Sequence, residues 1–166
     1  MRYSFRISDK LLEVAQSDLR RPHPFAGERV GFLKFRCARS ARGVLMVASG
    51  YMPVRNDGYI PDDSVGAMMN EGTILMAMQA AYSGHVGIAH VHLHGHPGRP
   101  RFSTIDLRES DRFVPSFSNV RTEYPHCAIV ISDDSFVGLC WPERGCEPQP
   151  IDQFSIIGPR FKKVLL

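Results

Sequence analysis

His90-Val-His92-Leu-His94-Gly-His96-Pro97-Gly-Arg-Pro-Arg-Phe-Ser103-Thr-Ile-Asp106 is the stretch on which the reading of this chain turns. Four of these residues are histidines at every second position, and an aspartate stands three residues after Ser103. The preceding run, His85 to Ala89, predicts a short apolar strand. Side chains alternate faces along a strand, so His90, His92, His94 and His96 are expected on one face, where two imidazoles two residues apart can converge on one ion. Pro97, Gly98 and Pro100 predict a turn. Ser103-x-x-Asp106 then predicts the first turn of a helix running to about Phe117, which brings Asp106 back towards the histidines. Two imidazoles and one carboxylate leave a fourth tetrahedral position for water, which is the pattern of a catalytic zinc rather than a structural one. An accidental His-rich tract is the bland alternative.

Upstream, Glu28-Arg-Val-Gly31-Phe32-Leu33 opens a second predicted strand. Together with His94-x-His96-Pro97 and Ser103-x-x-Asp106, it resembles the JAMM signature of the zinc metalloproteases of the JAB/MPN superfamily. The resemblance covers roughly Ser8 to Trp141, and it is strongest to the small stand-alone bacterial JAB proteins. The family usually has seven residues between its second histidine and the serine. Here His96 leaves six and His94 leaves eight. Pro97 after His96 favours the pair His94/His96, with His92 as the alternative ligand; Gly87-Ile-Ala-His90 favours His90/His92. The ligand set adopted is His94, His96 and Asp106.

The resemblance implies a bound Zn2+, with Glu28 as general base and Ser103 as hydrogen-bond donor to the oxyanion. It implies a metallopeptidase or isopeptidase that cleaves the amide after the C-terminal tail of a ubiquitin-like protein, beside E1- or E2-like partners. It also implies a JAB/MPN fold, related to that of the cytidine deaminases. Taken alone, Glu28 reads as a solvated strand-edge carboxylate and Ser103 as a helix N-cap.

Composition narrows the field. The 166 residues fit a single domain spanning 1–166, with 43% hydrophobic and 22% charged residues. A net charge of +3 gives little support to nucleic-acid binding. No apolar run approaches the length of a membrane span, and the N-terminus has no long apolar segment of a signal peptide. Cys37, Cys127, Cys140 and Cys146 form no Cys-x-x-Cys pair, so reduced thiols and a cytoplasmic location are expected.

Along the chain, Tyr3 and Phe5 predict a first strand, and Ser8 caps a helix with Leu11, Leu12, Val14, Ala15 and Leu19 on its apolar face. Strands follow over Glu28 to Cys37 and Gly43 to Val54, with Gly31 admitting a close neighbour, then a turn at Asn56-Asp57-Gly58. Asp62, Asp63 or Ser64 is expected to cap a long helix to about Tyr82, packed through Met68, Met69, Ile74, Leu75, Met78 and Ala81. Cys127–Ile131 and Phe136–Trp141 predict a hairpin, and 154–157 a last strand. The fold class expected is α+β in α/β/α layers, with a mixed, largely antiparallel sheet flanked by helices.

Three rival readings differ in chemistry. A catalytically silent MPN-type scaffold needs none of Glu28, the histidines, Ser103 or Asp106. A zinc deaminase needs His-x-Glu and Pro-Cys-x-x-Cys, which are absent from this sequence. A repair-associated member acting on nucleic acid would be expected to carry more positive charge.

Overall fold

The computed structural model describes all residues except Phe25, Asp63, Thr122, 159–161 and 165–166, and only the backbone of 162–164. One sheet runs through the described chain. Its strands are β1 (Tyr3–Ser8), β2 (Val30–Ser40), β3 (Gly43–Pro53), β4 (Gly87–Leu93), β5 (His126–Ile131), β6 (Phe136–Trp141), β7 (Gln149–Pro150), β8 (Gln153–Ile157) and β9 (Lys162–Val164). Their spatial order is β7-β6-β5-β4-β2-β3-β1-β8-β9. The pairs β1–β3, β1–β8 and β4–β5 are parallel and the other five are antiparallel, so the sheet is mixed and largely antiparallel.

Three helices flank the sheet: α1 (Asp9–Leu19), α2 (Glu71–Gly84) and α3 (Thr104–Phe113). Strand alternation sorts the core into two layers. On one face Leu12 and Leu19 of α1 pack with Leu33, Phe35, Ala89, Val91, Cys127 and Ile129. On the other, Ala77 and Ala81 of α2 pack with Phe32, Ile88, Ala128 and Phe117. The sheet is curled: the Cys127 thiol on β5 contacts the Met46 sulfur on β3 at 3.6 Å, although two strands lie between them. Phe5 sits edge-on to Phe35 with ring centroids 5.6 Å apart; burial of each such ring is worth about 1.5–3 kcal/mol.

Several sequence expectations are met. The Ser8 hydroxyl accepts from the Leu11 N–H at 3.2 Å. The Gly31 position is filled by the Tyr51 ring, which would collide with any Cβ there. Others are corrected. Val14 is 57% exposed, because α1 buries only Leu12, Ala15 and Leu19. The second helix begins at Glu71, not near Asp62. Asn70 caps it, accepting from the Thr73 N–H at 2.9 Å. The Asp62 carboxylate instead takes the Ser64 N–H and hydroxyl in a local turn. The alternative cap Asp63 lies outside the described residues. Met68 and Met69 therefore stand in an extended segment that returns alongside Tyr59 and Ile60. Leu75 is 64% exposed; α2 packs through small residues instead. The helix after Asp106 stops at Phe113 and continues as a 3-10 segment, Val114–Asn119. All four cysteines are free thiols. No helix among the described residues is long and apolar enough to cross a membrane.

Candidate metal centre

The site sits where β4 ends. Ile88, His90 and His92 alternate onto the face that carries α2 and α3. The strand stops at Leu93, so only His90 and His92 share a strand face; His94 and His96 lie beyond it. His94 is still held to the sheet, its N–H bonding Ile131 O at 2.8 Å. The His96 N–H then closes a tight turn onto His94 O at 2.9 Å, and the His96 ring stands 5.9 Å from that of His94, outside the group formed by Glu28, His92 and His94. His96 is exposed, with Nδ1 2.9 Å from Pro97 O. The loop that follows is pinned from the β5–β6 turn: the Gly98 N–H donates to the Asp134 carboxylate at 2.7 Å, and the Ser132 hydroxyl donates to Gly98 O at 2.7 Å.

Glu28, His92 and His94 form a group whose potential ligand atoms all lie within 4.8 Å of one another, and such a group can hold a metal ion. Asp106 approaches from α3. Ser103 is the N-cap of that helix, and the two residues form a capping box. The Asp106 carboxylate accepts from the Ser103 N–H at 2.7 Å, and the Asp106 N–H donates to the Ser103 hydroxyl at 3.1 Å. The same carboxylate oxygen, Oδ2, lies 3.6 Å from His92 Nε2. That separation is too long for a hydrogen bond. It is close to the spacing of about 3.3 Å between two ligands of one tetrahedral ion with bonds of about 2.0–2.1 Å.

His92 is only 4% exposed, and its Nε2 has no hydrogen-bond partner among the described residues. A buried polar atom left unpaired is costly. An ion held between His92, His94 and the nearby carboxylates would satisfy it, so the donor set fits a divalent metal. Burial lowers the pKa of the Asp106 carboxyl's neighbour His94, helped by the charge of His92, and keeps that imidazole neutral and free to ligate. Burial raises the Asp106 carboxyl, but His92 and the Ser103 hydrogen bonds outweigh it and hold the group below the usual carboxylate range. His90, next along the strand face, is pushed down to about 3 by burial first and by His92 second. It packs edge-on to Phe113 with ring centroids 4.9 Å apart.

The structure thus places His92, rather than His96, beside His94 and Glu28. A count of loop residues does not reveal this, because it cannot show that the strand ends at Leu93. Glu28, His90, His92 and Asp106 line a cleft of about 600 Å³. The 60–69 segment forms one wall, through Val65, Met68 and Met69. The outer face of α3 forms the other, through Ile105 and Arg108. Arg99 and Arg101 are exposed on the pinned loop.

No protein-family profile matches the chain, and no curated protein matches it. Among solved structures, the N-terminal domain of STIL from Trichoplax adhaerens aligns with a TM-score of 0.39 and 12% identity. The alignment covers 81% of this chain and 40% of that one, so this chain spans well under half the length of its structural neighbour. At that TM-score the likeness carries no argument about fold family or function.

Proposed function

We propose that this protein is a zinc-dependent metallopeptidase or isopeptidase of JAMM type, with His92, His94 and Asp106 as metal ligands and Glu28 as general base. The observation that carries the reading is the convergence of Glu28, His92 and His94 within 4.8 Å, with the Asp106 carboxylate 3.6 Å from an unpartnered His92 nitrogen. A scaffold has no use for a buried, unpaired imidazole nitrogen facing a carboxylate. The resemblance of Glu28, the histidine run and Ser103-x-x-Asp106 to the JAMM signature supports the same reading, with the second ligand shifted from His96 to His92.

A bound zinc ion supplies Lewis acidity and lowers the pKa of its water from 15.7 to about 7. The protein side chains do the rest. Glu28 takes a proton from the attacking water and delivers it to the leaving amine, a role worth about 100- to 10,000-fold. The Ser103 N–H holds the Asp106 carboxylate, whose Oδ2 lies 3.6 Å from His92 Nε2 so that the two can share the ion. The Ser103 oxygen already accepts from the Asp106 N–H, so its hydroxyl proton remains to donate to a developing oxyanion. The cleft between the 60–69 segment and α3 accepts an extended tail. A ubiquitin-like protein with a Gly-Gly terminus is the substrate we assign, recognised with help from main-chain hydrogen bonds. E1- or E2-like proteins are the partners this implies.

The test compares wild type with Glu28→Gln for zinc content and for cleavage of a ubiquitin-like protein extended beyond Gly-Gly. We expect about one zinc in each and a loss of turnover of about 100-fold or more in the variant. Full activity in Glu28→Gln would falsify the mechanism, and zinc-free pure protein would return the chain to the scaffold reading.

A further inference from the structure

Glu28 stands outside the sheet, so the strand ladder does not hold its carboxylate. β2 begins at Val30, and the Glu28 N–H goes to Gly66 O at 2.8 Å. The next two residues are held through side chains, Val30 by that of Tyr59 and Arg29 by its own. The Val30 N–H donates to the Tyr59 hydroxyl at 3.0 Å, and that hydroxyl donates to Val30 O at 3.1 Å. In an extended strand the N–H and C=O of one residue point to the same neighbour. The neighbour here would be β3, but β3 ends at Pro53, opposite Gly31. One phenol therefore supplies the donor and the acceptor where the strand has run out. On its other side Val30 pairs with His92.

Arg29 completes the clasp. Alternation turns it away from Glu28 and Val30, both of which line the cleft. It is 4% exposed, and its guanidinium donates to Arg21 O at 2.9 Å, Pro22 O at 3.0 Å and Asn56 Oδ1 at 3.0 Å. No carboxylate pairs with it among the described residues. A buried cation without a counter-ion is costly, yet it ties the residue between Glu28 and Val30 to two other chain segments.

We propose that Tyr59 and Arg29 are positioning residues for Glu28, a clasp that sets its carboxylate against the His92/His94 pair where the sheet does not reach. The assignment rests on Glu28 acting at the metal. Tyr59→Phe removes both bonds to Val30 and keeps the ring. We expect zinc content unchanged, KM within about twofold and kcat lowered about 10- to 100-fold, as a small misplacement of a reacting group commonly produces. In a Glu28→Gln background the same substitution is expected to cost nothing further, because nothing remains to be positioned. Arg29→Lys keeps the charge but cannot span three acceptors, and the same pattern is expected from it; it serves if Tyr59→Phe fails to fold. An equal loss in both backgrounds, or a change in KM alone, overturns the proposal.

A second readout does not need turnover. With Co(II) in place of zinc, Tyr59→Phe is expected to change the visible spectrum when Glu28 is present and to leave it unchanged in Glu28→Gln. If the wild type cleaves nothing, the hydrolase reading fails and this spectrum still decides the clasp. A Tyr59→Phe spectrum identical to wild type overturns it.

Discussion

Two buried histidines stand at opposite ends of the parallel pair β4–β5, and they have opposite environments. His126 opens β5 and is fully buried. Its Nδ1 accepts from the Ile88 N–H at 3.2 Å, and its Nε2 lies 3.1 Å from Arg121 O, so the neutral ring has a partner at each nitrogen. Burial pushes its pKa down to about 4. His92, near the end of β4, is almost as buried, but its Nε2 has no hydrogen-bond partner among the described residues and lies 3.6 Å from the Asp106 carboxylate. Burial alone therefore does not mark a site. The mark is a buried nitrogen that the protein leaves unmatched, next to groups able to share an ion with it.

The largest expected effect is on metal affinity at the His92 end. His92→Ala, His94→Ala and Asp106→Ala should each weaken zinc binding by about 100-fold or more, whereas His96→Ala should stay within about threefold. Competition with a chelator measures this. Equal losses at His96 and His92 would break the comparison, because the exposed turn would then have to fold back onto the site.

The reverse pattern is expected for stability. His126→Leu leaves the Ile88 N–H and Arg121 O buried without their partner. We expect a loss of about 2–4 kcal/mol in urea unfolding of the zinc-free protein, with zinc affinity unchanged. A loss below about 0.5 kcal/mol would mean that water reaches both groups and the end is not sealed.

The same histidine sets a pH dependence. Its folded pKa of about 4 lies below the ordinary value of 6.5. Between those values the unfolded chain binds the extra proton, so His126 contributes stability that is fully present above about pH 6.5. That contribution falls as the pH drops towards about 4, by up to about 1.4 kcal/mol per pH unit. Urea midpoints of zinc-free protein from pH 7 to 4 should show a shallower decline in His126→Leu than in wild type. Parallel curves would assign the acid sensitivity to the other histidines whose pKa burial lowers, His90 and His94, instead.

Local signals made much of this architecture legible. Strand alternation in Phe32-Leu33 and in Ile88-Ala89 sorts residues onto two core faces, and Ser8 and Ser103-x-x-Asp106 show as helix starts because a cap acts within one turn. What failed depends on distant parts of the chain. Asp62 to Ser64 has the composition of a helix cap, but Met68 and Met69 run back along Ile60 and Tyr59, so the helix waits for Asn70. The parallel contacts of β1 with both β3 and β8 have no short-range signal. At the site, the residue types were readable but the register was not. His92 and His96 are equivalent by spacing, and only the end of β4 at Leu93 and the turn at His96 separate them. Tyr59 and Gly66 carry no motif; they reach the Glu28–Val30 stretch only through the fold.

Gly66 gives the smallest effect, and it probes the open end directly. A Cβ built there would lie 3.0 Å from Glu28 Oε2 and 3.1 Å from its Cδ. Its backbone lies outside the left-handed region, so alanine costs little in conformation. What has to move is the end of a flexible side chain, and that end is the general base in our reading. Gly66→Ala should therefore unfold within about 0.5 kcal/mol of wild type and bind zinc normally, while turnover falls about tenfold, the mark of a base displaced by a fraction of an ångström. Loss of stability with turnover intact would place the contact in the packing of the 60–69 segment. Glu28 would then reach its working position by moving away from Gly66 before reaction, and the arrangement seen here would be its resting one.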